Sequence, residues 1–119
     1  MIRIEVVAVG SELLNGDLAD THTARFGRLL RGLGLGIQRT QTVPDELSLV
    51  TSALGEAGAR SDLVLVTGGL GSTDDDLTME AASRLTGRGL VVDERTLERL
   101  RDRYSRLSRP FSVALAKQA

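Results

Sequence analysis

Three short apolar runs, separated by stretches with helical periodicity, constrain the fold of this chain most strongly. The runs cover residues 2–9, 37–43 and 63–66. The first and third are almost continuously apolar, which is typical of strands buried on both faces, and we expect the third to be central. The second alternates apolar and polar residues, which favours a place nearer the edge of the sheet. The order strand, helix, strand, helix, strand, helix predicts an α/β fold with a mostly parallel central sheet in three α/β/α layers.

Four amphipathic helices are predicted from apolar residues at spacings of three, four and seven. Glycines after residue 31 end the first helix, and Asp45 and Asp93 are the expected N-caps of the second and fourth. The apolar residues expected to face the core are, in chain order, Phe26, Leu29, Leu30, Leu33, Leu47, Val50, Leu54, Ala57, Leu77, Ala81, Leu85, Leu97, Leu100, Tyr104 and Leu107.

Composition narrows the class of protein. The 119 residues contain no cysteine, which excludes disulfide scaffolds, thiolate zinc sites and cysteine nucleophiles. A net charge of −1 and 3% aromatic residues argue against nucleic-acid binding. No run approaches the roughly 18 apolar residues that a membrane span needs, and no secretion signal is visible at the start. We therefore expect a single cytoplasmic domain over residues 1–119.

Ligands of open parallel sheets bind at the carboxyl ends of the strands, which selects residues 10–17, 43–46 and 68–76. In the third loop, Gly68, Gly69 and Gly71 allow a close backbone approach, and the following helix directs N–H groups at a bound anion. The loop is neither a Walker loop nor a dinucleotide fingerprint, because it lacks the lysine of the first and the spacing of the second. A phosphate fits such a loop.

Three aspartates, Asp74, Asp75 and Asp76, follow the glycine turn, and Asp45 ends a neighbouring strand. Carboxylates repel phosphate unless a divalent cation lies between them, so this combination favours a metal-assisted phosphate site. The alternative is structural: Thr73 caps the next helix and the three acids complement its dipole.

Other polar residues give weaker signals. His22 is the single histidine and has no partner in the sequence pattern, which favours a surface or capping role. A nucleophilic triad with Ser11 is rejected because the G-x-S-x-G elbow is absent. The arginines of residues 95–109 alternate with acids, which is typical of a solvated helix face.

Three segments together carry a resemblance: residues 10–14 (GSELL) with Gly16, residues 43–45 (VPD) and residues 67–78 (TGGLGSTDDDLT). They closely resemble the N-terminal domain of the competence/damage-inducible protein CinA family, within the molybdopterin-binding folds that include MogA and MoaB. The resemblance runs from residue 1 to residue 119. His22 stands where the family commonly has Asn, and Ser72 where it commonly has Pro. The chain ends before the rest of the family's domain and its deamidase domain, so we assign no deamidase activity.

The resemblance implies a three-layer α/β/α domain that hydrolyses ADP-ribose to AMP and ribose 5-phosphate with Mg²⁺, Mn²⁺ or Co²⁺. In MogA-like relatives the same fold holds molybdopterin, and their two chemically active aspartates fall on Asp45 and Asp76. The metal ligands expected from the acidic cluster are Asp45, Asp74, Asp75 and Asp76. The residues expected to bind the ligand and its phosphates are Gly10, Ser11, Glu12, Gly68, Gly69, Leu70, Gly71, Ser72, Thr73 and Thr78.

Two further functions stay open at the level of the sequence. The same loops could bind molybdopterin or a nucleotide without turnover. Alternatively, the chain is an interaction or assembly domain with a vestigial pocket. Relatives of this fold assemble as dimers or trimers, so the resemblance also implies a homo-oligomer whose partner ligand is a nucleotide or pterin phosphate.

Overall fold

The three predicted strands form one parallel sheet, and the first strand of the chain lies at its centre. The computed structural model describes residues 1–119. The strand order is β2-β1-β3, and both neighbours run parallel to β1. The α/β class and the parallel sheet are confirmed. The elements are β1 (Ile4–Val9), α1 (Ser11–Leu14), α2 (Thr21–Gly32), β2 (Ile37–Val43), α3 (Leu47–Arg60), β3 (Leu63–Thr67), α4 (Thr78–Thr86), α5 (Glu94–Arg106) and a final 3₁₀ helix (Val113–Gln118).

The central position belongs to β1 and not to β3. All six residues of β1 are buried, as the continuous apolar run predicts. The prediction that residues 63–66 form a central strand is wrong, because β3 pairs only with β1 and Leu63 is exposed. An apolar run indicates that the two faces of a strand are covered by other layers. It does not indicate how many strands pair with it, because that depends on the topology of the sheet.

The main core lies between the sheet and α3. Val7 and Val9 of β1 pack with Val50 and Leu54 of α3, and the cluster extends to Ala81 of α4. The predicted inner face of α3 is confirmed. Because side chains alternate along a strand, the other face of β1 is presented to a different layer.

That second layer contains α2. Gly27 of α2 lies against Ile37, which is the register partner of Ile4. The α2 layer therefore covers the face opposite α3, as the predicted helix layers on both faces require.

Several leucines predicted to face the core are exposed. Leu29, Leu33, Leu85 and Leu107 all retain large exposed fractions, and α2 has no fully buried residue. Helical periodicity identifies which residues share a face, but it does not say whether another element covers that face. The helix α5 packs mainly on the 3₁₀ helix.

The predicted caps have mixed outcomes. Asp93 is confirmed as the N-cap of α5, because its carboxylate accepts a 2.7 Å hydrogen bond from the Thr96 N–H. Asp45 is not the cap of α3; the N-cap is Glu46, whose side chain makes no capping bond to the helix backbone. Thr73 does not cap α4, which begins only at Thr78. In both wrong predictions the polar side chain is bonded elsewhere: Asp45 accepts from the Ser11 N–H, and the Thr73 hydroxyl donates to Asp76.

An ion pair joins α3 to β1 at the amino-terminal edge of the sheet, which is opposite the predicted ligand edge. The Arg60 guanidinium donates from Nε to Glu5 Oε1 at 2.7 Å and from Nη2 to Oε2 at 2.9 Å. These bonds hold the pKa of Glu5 below its ordinary value. Glu5 is thereby accommodated in an otherwise apolar strand. No helix in the chain combines the length and apolarity that crossing a membrane would need.

Candidate functional site

The three loops selected from the sequence meet at the carboxyl edge of the sheet. The Gly10 N–H donates to the Val43 carbonyl at 2.9 Å, which joins the ends of β1 and β2. The backbone of Gly68 approaches Val9 so closely that a Cβ on this glycine would lie 2.0 Å from the Val9 carbonyl oxygen. The ends of β1 and β3 are therefore also in contact. Parallel strands place their carboxyl ends at the same edge, which explains why the prediction succeeds.

Ser11 and Asp45 form a reciprocal pair across the ends of β1 and β2. The Ser11 N–H donates to Asp45 Oδ2 at 3.0 Å, and the Asp45 N–H donates to Ser11 Oγ at 3.1 Å. The pair explains why Asp45 does not cap α3. Ser11 is therefore first of all a positioning residue for Asp45, whose Oδ1 accepts no hydrogen bond from the chain.

The glycine turn is held in place by Thr78 at the start of α4. Gly68 has a φ of +86°, which favours glycine over other residues. The buried Thr78 hydroxyl donates to the Gly68 carbonyl at 2.7 Å, and the Thr78 N–H donates to the Gly69 carbonyl at 3.2 Å. The Thr78 side chain is buried and bonded within the chain, and its contact with a ligand stays a prediction.

Asp76 turns back into its own loop. Its Oδ2 accepts hydrogen bonds from the Thr73 N–H at 2.9 Å and the Thr73 hydroxyl at 2.8 Å. These bonds hold the pKa of Asp76 below its ordinary value. Gly71 lies against the same carboxylate, since a Cβ there would be 2.5 Å from Oδ2. The loop thus presents a fixed, ionised carboxylate next to its glycines.

Lys117 is the site residue that the sequence analysis missed. Its ammonium group donates to the Thr73 carbonyl, and its charge also contributes to the lowered pKa of Asp76. Lys117 comes from the final 3₁₀ helix, so no local spacing connects it with the glycine turn. A cleft of about 190 Å³ joins it to Gly69, Gly71 and Asp76.

The backbone of the glycine turn leaves donors available. The N–H groups of Gly69, Leu70 and Ser72 donate no hydrogen bond within the chain, and the Gly71 N–H interacts with Asp76. Leu70 is exposed and Ser72 is partly exposed. The residue before α4, Leu77, provides no side-chain cap. The cleft therefore combines backbone donors, an uncapped helix start and a lysine.

A second cleft of about 340 Å³ opens on the other side of Gly68, between α1 and α2. Its lining includes Glu12, His22, Asp20 and Thr67. Asp20 is occupied as the N-cap of α2, because it accepts from the Thr23 N–H at 3.0 Å. His22 is exposed beside this cap.

The four aspartates proposed as metal ligands do not gather into one cage. No group of three or more histidine, aspartate or glutamate side chains is placed to hold a metal ion. Asp74 and Asp75 are exposed, and Asp76 lines the smaller cleft, whereas Asp45 lines neither cleft. Asp76 is engaged by the donors of Thr73, and metal binding by Asp45, Asp74, Asp75 and Asp76 stays a prediction. A metal ion at this edge would depend on one or two carboxylates together with oxygens of a bound ligand.

Comparisons with known proteins agree on one family. The family model described as "Probable molybdopterin binding domain" matches residues 5–118. A CinA-like protein of Geobacter sulfurreducens is 44% identical over 117 residues, which is 98% of this chain and 28% of that protein. The chain spans only about 28% of the length of the curated relatives first matched.

Solved structures show the same relationship. The crystal structure of the protein CinA with unknown function from Thermoplasma acidophilum has a TM-score of 0.86 and 32% identity, over 97% of this chain and 67% of that one. The molybdopterin biosynthesis enzyme MoaB from Thermus thermophilus has a TM-score of 0.67 and 29% identity, over 71% of this chain and 55% of that one. By sequence and by structure, this chain belongs to the probable molybdopterin binding domain family as a domain of the CinA type.

Proposed function

We propose that this domain binds a small phosphate-bearing ligand, either a pterin phosphate of the molybdopterin type or a nucleotide diphosphate such as ADP-ribose. The observation that carries the proposal is a cleft lined by Lys117 and by Gly69 and Leu70, whose N–H groups donate no hydrogen bond within the chain. Backbone donors and a cation together bind phosphate oxygens, and hydrogen bonds to charged groups are the stronger kind. The membership in a molybdopterin binding family supports the same class of ligand.

The charge balance of the cleft also supports phosphate binding. Asp76 would repel a phosphate if its carboxylate were alone. Its Oδ2 is covered by two donors of Thr73, and Lys117 lies close enough to lower its pKa. Glu80, the second carboxylate of the cleft, is paired with Arg84 at 2.9 Å. Both carboxylates of the cleft therefore have partners in the chain, and Lys117 places a positive charge beside the glycine turn.

Hydrolysis of ADP-ribose is the second candidate function. Asp45 uses only Oδ2 in its hydrogen bond within the chain, which leaves its Oδ1 free to accept a further ligand, whereas Asp76 also interacts with the Gly71 N–H. Mg²⁺ sites commonly combine one or two carboxylates with substrate phosphates. We propose that Mg²⁺, Mn²⁺ or Co²⁺ enters with the ligand and that Asp45 or Asp76 contacts it. When bound, such an ion would polarise a phosphoryl oxygen.

Binding is tested by titration calorimetry on the 119-residue chain with ADP-ribose, a pterin phosphate and inorganic pyrophosphate. Removing the charge in Lys117→Gln should weaken the bound probe about tenfold or more, because a hydrogen bond to a charged group contributes about 1.5–3 kcal/mol. Arg28→Gln, a charge-matched change on the exposed side of α2, should leave binding unchanged. Equal affinities for the two variants, or no competition by pyrophosphate, would refute the proposal.

Hydrolysis is tested by following AMP release from ADP-ribose with each of the three metal ions. Asp45→Asn and Asp76→Asn should abolish release while the chains still bind pyrophosphate. Absence of AMP release together with retained binding would leave the non-catalytic binding module as the function. An assembly domain with a vestigial pocket predicts instead that neither ligand nor metal changes the thermal unfolding midpoint.

A further inference from the structure

The larger cleft holds a carboxylate that has no partner in the chain. Glu12 of α1 is half-buried, and its side chain folds back over the end of β1. A Cβ on Gly10 would lie 2.6 Å from Glu12 Oε1 and 2.8 Å from Oε2. Both carboxylate oxygens therefore lie directly over Gly10, in space that a Cβ at this position would share.

Glu12 differs in this respect from Asp20, Asp45 and Asp76. Asp20 in the same cleft accepts from Thr23, Asp45 accepts from Ser11, and Asp76 accepts from Thr73. None of the four ion pairs of the chain includes Glu12. A partly desolvated carboxylate gains considerably from donors, because hydrogen bonds to charged groups are stronger than neutral ones.

The position of the cleft connects Glu12 with the proposed phosphate site. Gly68, at the start of the glycine turn, lines the cleft that contains Glu12, and Gly69 lines the smaller cleft that contains Lys117. The two clefts thus adjoin the same turn. Leu13 and Leu18 provide apolar walls beside Glu12, which suits a ring with polar edges.

We infer that Glu12 is a specificity-determining residue that accepts two adjacent N–H or O–H donors from the ring portion of the ligand. This inference rests on the proposed function, in which the phosphate of that ligand lies at the glycine turn. Two ring systems offer such a pair: the amino group and neighbouring ring N–H of a pterin or guanine, and the vicinal hydroxyls of a ribose. A carboxylate has two oxygens and can accept both donors at once.

We expect the site to bind an analogue that lacks one of the two donors more weakly than the complete ligand. One oxygen of a half-buried carboxylate then loses its partner, and a site built for hydrogen bonds rejects such an analogue strongly. GMP carries both donor pairs. IMP lacks only the amino group, and 2′-deoxyGMP lacks only one hydroxyl. The three probes therefore distinguish the guanine ring from the ribose as the source of the two donors.

The test measures the affinity of GMP, IMP and 2′-deoxyGMP by titration calorimetry. The wild-type chain should bind GMP about tenfold or more tightly than one of the two analogues, and the weaker analogue identifies the donor pair. Glu12→Gln should reduce this preference to near unity, whereas Glu12→Asp should retain part of it. The control is Glu98→Gln on the exposed face of α5, which should keep the full preference.

Three results would overturn the inference: no binding of GMP, equal affinity for all three probes, or a preference that persists in a folded Glu12→Gln chain. Thermal unfolding followed by circular dichroism establishes that each variant is folded. Competition by pyrophosphate separates this inference from the proposed function. If pyrophosphate displaces GMP while the Glu12→Gln chain keeps its preference for GMP over the weaker analogue, the phosphate site is supported and the role of Glu12 is refuted.

Discussion

Replacing Gly68 by alanine tests whether the ends of β1 and β3 are held rigidly together. Gly68 has a φ of +86°, and a Cβ there would lie 2.0 Å from the carbonyl oxygen of Val9. Gly87, which ends α4, has a similar φ of +68° but no neighbouring atom within 4 Å of its Cβ position. Gly87→Ala is therefore a matched control that shares the backbone conformation and lacks the collision.

The expected magnitudes follow from these two contributions. A non-glycine residue in the left-handed region costs about 1–2 kcal/mol, which applies to both variants. The collision is with backbone, so no side-chain rotation relieves it, and overpacking of this kind adds about 1–3 kcal/mol. We therefore expect Gly68→Ala to lose about 2–5 kcal/mol of unfolding free energy and Gly87→Ala about 1–2 kcal/mol.

Urea unfolding followed by circular dichroism measures the difference. For a slope of about 2 kcal/mol per molar urea, an extra loss of about 2 kcal/mol lowers the midpoint by about 1 M relative to the control. Coincident midpoints for the two variants would mean that the Val9 carbonyl moves away freely. The close contact between the strand ends would then not be a constraint on the site.

Two further predictions concern bonds within the fold. Thr78→Val should lower the unfolding free energy, measured in urea, by about 1–3 kcal/mol, because the buried hydroxyl that donates to the Gly68 carbonyl is lost. The control Thr86→Val, on the exposed end of α4, should lower it clearly less. Equal losses for the two variants would contradict the structural role of Thr78. Arg3 lowers the pKa of Asp62 to about 2 from its ordinary 3.8, so their interaction should stabilise the fold fully above about pH 4 and be lost as the pH falls towards 2. Carboxyl NMR titration should show the pKa of Asp62 returning towards 3.8 in Arg3→Gln, and an unchanged low pKa would contradict this assignment.

Much of the scaffold was predictable because local patterns determine it. The buried character of β1, the inner face of α3 and the cap at Asp93 all follow from spacings within about ten residues. The meeting of the three loops also follows, since parallel strands end at one edge whatever their order.

The remaining features depend on contacts between distant residues. Lys117 reaches Thr73 from 44 positions away, and Asp45 exchanges two bonds with Ser11 across 34 positions. Neither contact leaves a spacing signal. Asp74, Asp75 and Asp76 are adjacent in the sequence, but only Asp76 accepts hydrogen bonds from Thr73. Homo-oligomer formation, a single domain over residues 1–119, metal use and cytoplasmic location stay predictions.

The central place of β1 has a consequence for how the chain acquires its structure. Ile4 pairs with Ile37 on one side and with Leu63 on the other, so neither partner is a close neighbour along the chain. No hairpin can start the sheet, and two large loops must close before β1 gains the hydrogen bonds of both its edges. During synthesis, residues 4–9 leave the ribosome before residues 37–43 and 63–67, with which they pair. Until both segments are available, this apolar strand has at least one unpaired edge, which favours aggregation of the nascent chain.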